Sequence, residues 1–222
     1  MSLSSESLKE AAIDFHYLLN RDYPRRRCLE LIGNRYNLSF DQRHLLHRGV
    51  FSDSDGAARK KKKVSLQKLR NRKVAIDGHN VLITLEAALT GRPLILSNDG
   101  FIRDISGLSG SFKKTQVTEE AIQLILDILK KAKPSHVLFL FDAPISKSGL
   151  LASEVREQLT NDLLPGDALA IRVPEKILLG FKGIVATSDT AIIDGSREIF
   201  DLAGQIVKTR IKPESLLTLK PL

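Results

Sequence analysis

The sequence predicts an α/β protein: a three-layer α/β/α sandwich on a mainly parallel sheet, preceded by a small all-α domain. Three observations predict it. From Lys73 onward, short apolar runs alternate with helical stretches, as parallel strands joined by crossover helices do. Three of these runs, ending at Ile76, Phe141 and Ala186, are almost continuously apolar, the pattern of strands buried on both faces. Before Lys73 the apolar residues recur at helical steps and the charge differs. Through Arg72 there are 16 Lys and Arg against 8 Asp and Glu; from Lys73 onward there are 18 against 18. The whole formal excess of +8 lies in the first third, so a basic module precedes a near-neutral one.

The elements follow in order. Leu8, Ala11, Ala12, Phe15, Leu18 and Leu19 share one helical face, with Ser4 or Ser5 as the cap, and Tyr23-Pro24 ends that helix. A second helix runs from Arg25 to about Tyr36 with Cys28, Leu31, Ile32 and Tyr36 inward, and a third from about Asp41 to Arg48 with Leu45 and Leu46 inward. Ser52-Asp53-Ser54-Asp55-Gly56 has turn chemistry and leads into Arg59-Lys60-Lys61-Lys62-Lys63, which reads as a basic linker or arm. The expected division is 1–50 helical domain, 51–72 linker, 73–222 α/β domain. In the last part, Lys73 to Ile76 reads as a strand, Val81 to Leu89 as a helix and Leu94 to Leu96 as a short strand. Asn98-Asp99-Gly100 is a turn, and Phe101 to Phe112 a Gly- and Ser-rich loop with a helical turn near Ile102 to Ile105. Thr118 opens a helix to Lys131, with a Thr N-cap and acids in its first turn. Then come a strand at His136 to Phe141, a helix at Leu150 to Leu163, strands at Ala168 to Val173 and Ile184 to Ala186, a helix at Thr190 to Ala203 and a last strand at Gln205 to Ile211.

Composition excludes several classes. No apolar run reaches the 18 or so residues of a membrane span. Met1 to Lys9 lacks the basic and apolar regions of a secretory leader, so a cytoplasmic location is expected. A single cysteine, Cys28, forbids an internal disulfide and a Cys-rich zinc site, and reads as a small buried hydrophobe. There is no G-x-G-x-x-G after the first strand, no G-x-x-x-x-G-K-[ST] and no G-x-S-x-G, so dinucleotide, P-loop and nucleophile-elbow chemistry lack their frames.

What remains is a set of strand-end acids. Asp77, Asp142 and Asp189 each follow an apolar strand, and open α/β sheets bind ligands beyond the carboxyl ends of their strands. Gly78 permits a sharp exit, and Asn80 can orient Asp77, cap the next helix or hold a substrate oxygen. Singly, each aspartate is as well explained by a turn or a helix cap. Jointly, converging like charges call for a cation, and Mg2+ or Mn2+ suits an all-oxygen site that activates water for attack on phosphorus. Asp194, on the helix after Asp189, and Asp104, in the Gly/Ser loop, are further candidate acids. Ser146 and Lys147, just past Asp142, are placed to meet phosphates. An aspartyl-phosphate phosphatase would carry a second acid two residues after the first; here that residue is His79. Arg25, Arg26 and Lys60 to Lys63 are candidate nucleic-acid contacts, since basic modules bind polyanions by counterion release. His44 and His47 share a helix face without an evident third ligand.

Ile76-Asp77-Gly78-His79-Asn80-Val81, Phe139-Leu140-Phe141-Asp142-Ala143 and Val185-Ala186-Thr187-Ser188-Asp189 together resemble the PIN-like nucleases, most closely their NYN branch. The likeness covers about Lys73 to Ile211. It implies a PIN-like sandwich, metal-dependent RNA cleavage, and Asp77, Asn80, Asp142 and Asp189 as an acidic pocket, with Asp194 near the place of an additional acid. The sequence departs from the common pattern in having no clearly matched acid on the helix from Thr118. With its basic helical front, the chain also resembles an uncharacterised prokaryotic family best known from archaea. The expected function is a Mg2+- or Mn2+-dependent ribonuclease. The alternatives are a non-catalytic RNA- or ribosome-binding protein on the same scaffold, and a DNA-binding regulator acting through the N-terminal helices.

Overall fold

The computed structural model describes residues 6–105, 114–213 and 216–219. The helices are α1 (Glu6–Leu19), α2 (Arg25–Arg35), α3 (Phe40–Gly49), α4 (Asp53–Lys62), α5 (Gly78–Leu89), α6 (Gln116–Ala132), α7 (Ser148–Asn161), α8 (Pro174–Gly180), α9 (Thr190–Gly195) and α10 (Leu202–Ile206). The strands are β1 (Lys73–Asp77), β2 (Leu94–Leu96), β3 (Ile102–Asp104), β4 (His136–Asp142), β5 (Gly166–Ile171), β6 (Ile184–Ala186), β7 (Ile199–Phe200) and β8 (Leu217–Thr218). They fall into two compact units: Met1–Lys61 with Arg92–Gly107 and Pro213–Leu222, and Lys62–Gly91 with Leu108–Lys212.

In the second unit five parallel strands stand in the order β5-β4-β1-β6-β7. From β1 the chain winds outward through β4 to β5, then returns to lay β6 on the other side of β1. The winding direction therefore reverses between β1 and β6, and crossovers of the usual right hand then lie on opposite faces of the sheet. α6 shows why the pattern was readable. Ile122, Ile125, Leu126 and Leu129 are all buried, and a Thr115–Thr118 capping box starts the helix three residues before the expected cap.

The first unit has its own core. Leu8, Phe15, Cys28, Leu45 and Leu46 pack with Ile95 and Leu219. The first three helices form where periodicity placed them, and Ser39 caps α3 in a capping box with Gln42. Leu31, expected inward, is 59% exposed. Two short segments distant in sequence complete the unit: β2 pairs antiparallel with β3 and parallel with β8. The expected helical turn near Ile102 is therefore a strand, and the unit is not confined to residues 1–50.

Two further expectations are corrected. Residues 51–72 are not an open linker: Asp53–Lys62 is helical, and Arg59 turns inward to Asp99 at 3.3 Å. Asp99 is fully buried in the turn after β2, where Arg103 grips both its oxygens at 2.8 Å. The span expected as one helix from Thr190 to Ala203 is α9, β7 and the start of α10, and the expected strand from Gln205 is the end of α10 with a π-helical turn over Val207–Ile211. Ser4, Ser5 and most of the Gly/Ser loop lie outside the described residues. No helix among the described residues is long and apolar enough to cross a membrane.

Candidate active site

β1 and β6 deliver the central residues. Asp77 closes β1 and is 7% exposed. Thr187 follows β6, and its hydroxyl donates to Asp77 Oδ2 at 2.8 Å. Asn80, in the first turn of α5, accepts at Oδ1 from the Ser188 amide at 2.9 Å and the Ser188 hydroxyl at 3.0 Å. The Asp189 amide closes the loop by donating to Thr187 Oγ1 at 3.0 Å. Asp77, Asn80, Thr187, Ser188 and Asp189 thus form one hydrogen-bonded cluster at the reversal between β1 and β6. Gly78 makes the exit possible: a Cβ there would run into the Phe141 ring and come within 2.9 Å of the Leu140 carbonyl.

Asp142 ends β4, the other neighbour of β1. His79 ties it to α5: Nδ1 lies 3.0 Å from Asp142 Oδ2 and 3.0 Å from the Asp142 amide. The imidazole is buried edge-on to Phe141, with ring centroids 5.3 Å apart. Sequence reasoning gave His79 no role. Its one signal was a polar ring in the apolar first turn of a buried helix.

The electrostatics couple the three acids. Burial pushes the Asp77 carboxyl up to about 7, the Thr187 hydroxyl pulls it back, and the negative charges of Asp189 and then Asp142 raise it again. Asp189 also caps α9, accepting at Oδ1 from Ala191 at 2.9 Å and Ile192 at 3.1 Å. The cap reading of Asp189 holds, and its charge also acts on Asp77. Among the described residues no group of three or more acids, histidines or cysteines is placed to hold a metal ion. The charges of two carboxylates act on a third that burial already penalises.

The other candidates separate. The Asp194 side chain is exposed on α9, and its carbonyl accepts from Lys62 Nζ at 2.5 Å. Asp104 is buried in β3 against Arg48 at 3.3 Å. Arg25 is not an open phosphate contact. Its guanidinium lies 4.4 Å from the Phe51 ring centroid, donates to the His47 carbonyl, and is pushed down to about 10 by burial and by Arg59 and Arg103. Lys62 bonds the carbonyls that end α9, and Lys63 pairs with buried Asp201 at 2.7 Å. Arg26, Lys60, Lys61, Ser146 and Lys147 are exposed. His47 is pushed down to about 4 by burial and by Arg25, Arg48 and His44, a surrounding that repels a metal cation.

Comparison with known proteins adds relatives. Residues 7–62 match a family model described as a protein of unknown function (DUF434), and residues 66–205 one described as a domain of unknown function (DUF5616). The uncharacterized protein MJ0935 of Methanocaldococcus jannaschii is 34% identical over 204 residues, 91% of this chain and 97% of that protein. No solved structure matches. With one family model spanning most of the chain and a relative aligned nearly end to end, the chain belongs to the DUF5616 family, its front formed by a DUF434 segment.

Proposed function

We propose that the chain is a metal-dependent ribonuclease of the PIN-like kind, nearest the NYN branch, hydrolysing RNA phosphodiesters with Mg2+ or Mn2+. One observation carries this reading. Asp77, buried where the sheet reverses its winding, is held at about 7 by burial and by the charges of Asp189 and Asp142. A divalent cation is the natural neutraliser of such a group, and carboxylate oxygens suit Mg2+ and Mn2+. Asp77, Asp142 and Asp189 would hold it. When bound, it supplies a polarised phosphoryl oxygen and a water of lowered pKa.

The protein's own groups do the rest. Asn80 and Thr187 fix the loop after β6 against Asp77. His79 restrains Asp142. Ser146 and Lys147, exposed in the turn after Asp142, face solvent where phosphate oxygens can reach them. Arg26, Lys60 and Lys61 offer exposed cations to the RNA backbone.

The test is cleavage of an end-labelled RNA pool by the full-length chain and by Asp142→Asn, with Mn2+ or with chelator. Cleavage needs Mn2+ and falls by about two orders of magnitude in the variant. Absence of metal-dependent cleavage, or full activity in Asp142→Asn, refutes the reading. The alternative is a non-catalytic RNA-binding protein on this scaffold, and the capping role of Asp189 favours it. It predicts salt-sensitive RNA binding that survives loss of Asp77 and Asp142.

A further inference from the structure

The other rim of the same sheet holds a cavity that the proposed chemistry does not use. β1, β6 and β7 begin at Lys73, Ile184 and Ile199. The residues just ahead of them, Arg72, Gly183 and Glu198, line a cavity of about 500 Å³ within the second unit. All five strands run parallel, so this is the amino-end rim, whereas Asp77, Asp142 and Asp189 leave from the carboxyl ends. The volume lies within the roughly 300–1,000 Å³ of small-molecule sites.

The lining has two characters. Leu179 and Phe181, at the end of α8 and just after it, give it an apolar and aromatic wall. Arg72, Lys182 and Arg197 give it cations, against one acid, Glu198. Arg72 already pairs with that acid at 2.5 Å, which leaves Lys182 and Arg197 as the excess; both are exposed. Ser196 is also among the lining residues, 8% exposed, with its hydroxyl buried. A guanidinium fork and an ammonium lining one cavity are the groups that recognise phosphate oxygens. The volume and the aromatic wall exceed what inorganic phosphate needs and suit a base attached to it.

We propose that this cavity binds a nucleoside monophosphate, free or as the phosphorylated end of an RNA strand, with Lys182 and Arg197 on the phosphate and Phe181 beside the base. The proposal does not rest on the ribonuclease reading, because it uses the opposite rim and none of its residues.

The test is calorimetric titration of the full-length chain with adenosine 5′-monophosphate, adenosine and two RNA oligonucleotides of one sequence, 5′-phosphorylated and 5′-hydroxyl. The monophosphate binds saturably, and adenosine binds at least about tenfold more weakly. Lys182→Ala with Arg197→Ala weakens monophosphate binding by about tenfold or more, Arg197→Lys restores part of it, and Asp142→Asn leaves it unchanged. Both cations are exposed, so the double variant keeps its thermal midpoint. Tighter binding of the 5′-phosphorylated oligonucleotide than of the monophosphate assigns the site to RNA ends; equal or weaker binding assigns it to the free nucleotide. Either result supports the site. No saturable binding, equal affinity for adenosine, or unaltered affinity in the double variant overturns it. So does a loss in Asp142→Asn matching that of the double variant, which would put the nucleotide at the other rim.

Discussion

Replacing Asp77 by Asn should make the metal-free protein more stable at neutral and alkaline pH. The folded state keeps the Asp77 proton up to about 7, whereas an ordinary aspartate loses it near 3.8. Between those values the folded chain binds more protons than the unfolded one, so stability falls as pH rises and levels off above about 7. The difference between 3.8 and about 7 is equivalent to about 4 kcal/mol at full development. Asn keeps the oxygen that accepts from Thr187 but brings an amide whose protons need partners, at a cost of about 1–3 kcal/mol. The net expectation near pH 8 is a gain of about 1–3 kcal/mol. Urea unfolding with chelator, at about pH 5 and about pH 8, reads both terms, and the difference between wild type and variant should grow by about 3 kcal/mol between them. A variant that is less stable at alkaline pH, or that shows the wild-type pH slope, refutes the claim that Asp77 is a buried carboxyl under a negative field.

Other expectations follow from the same contacts. Gly78→Ala forces a methyl group onto Phe141 and the Leu140 carbonyl, and should lower stability by about 1–3 kcal/mol in denaturant melts. Asp99→Ala strands the buried guanidinium of Arg103 and weakens the hold on Arg59. It should lower stability by about 3–5 kcal/mol, far more than loss of the exposed pair Lys9–Glu6, worth about 0–1 kcal/mol. Replacing exposed Lys60 and Lys61 by Ala should lessen the salt dependence of RNA binding by about two phosphate contacts in a filter-binding series, while thermal melting stays unchanged. Arg25→Ala should show the opposite pattern, with a lower melting temperature, because Arg25 packs on Phe15 and Phe51.

The legible parts of the fold are those with a local signal. β1, β4 and β6 are apolar runs that end in a polar turn, and burial on both faces demands such runs. That regularity puts Asp77, Asn80, Asp142 and Asp189 on one rim from sequence pattern alone. Ile192, Ile193, Ile199 and Phe200 are all buried, and a two-residue buried strand cannot be told by periodicity from a continued helix, so β7 was lost in an over-long helix. α4 contacts its surroundings through Gly56 and Arg59 instead of an apolar stripe, which left only its charge run to read. The sheet of the first unit joins strands of three, three and two residues through pairs such as Ile95 with Leu217, and no local pattern encodes that contact. In the site, His79 escaped notice because its role depends on β4 lying beside β1, a fact of strand order.

The proposed metal centre at the carboxyl rim is tested most directly by locating the ion. In an amide-resolved NMR spectrum of the full-length chain, trace Mn2+ broadens the resonances nearest to it. The account predicts selective loss of the Asn80, Ala143, Ser188 and Asp189 signals, abolished when Asp77 and Asp142 are both replaced by Asn. Broadening that spares these amides, or that persists in the double variant, would contradict it.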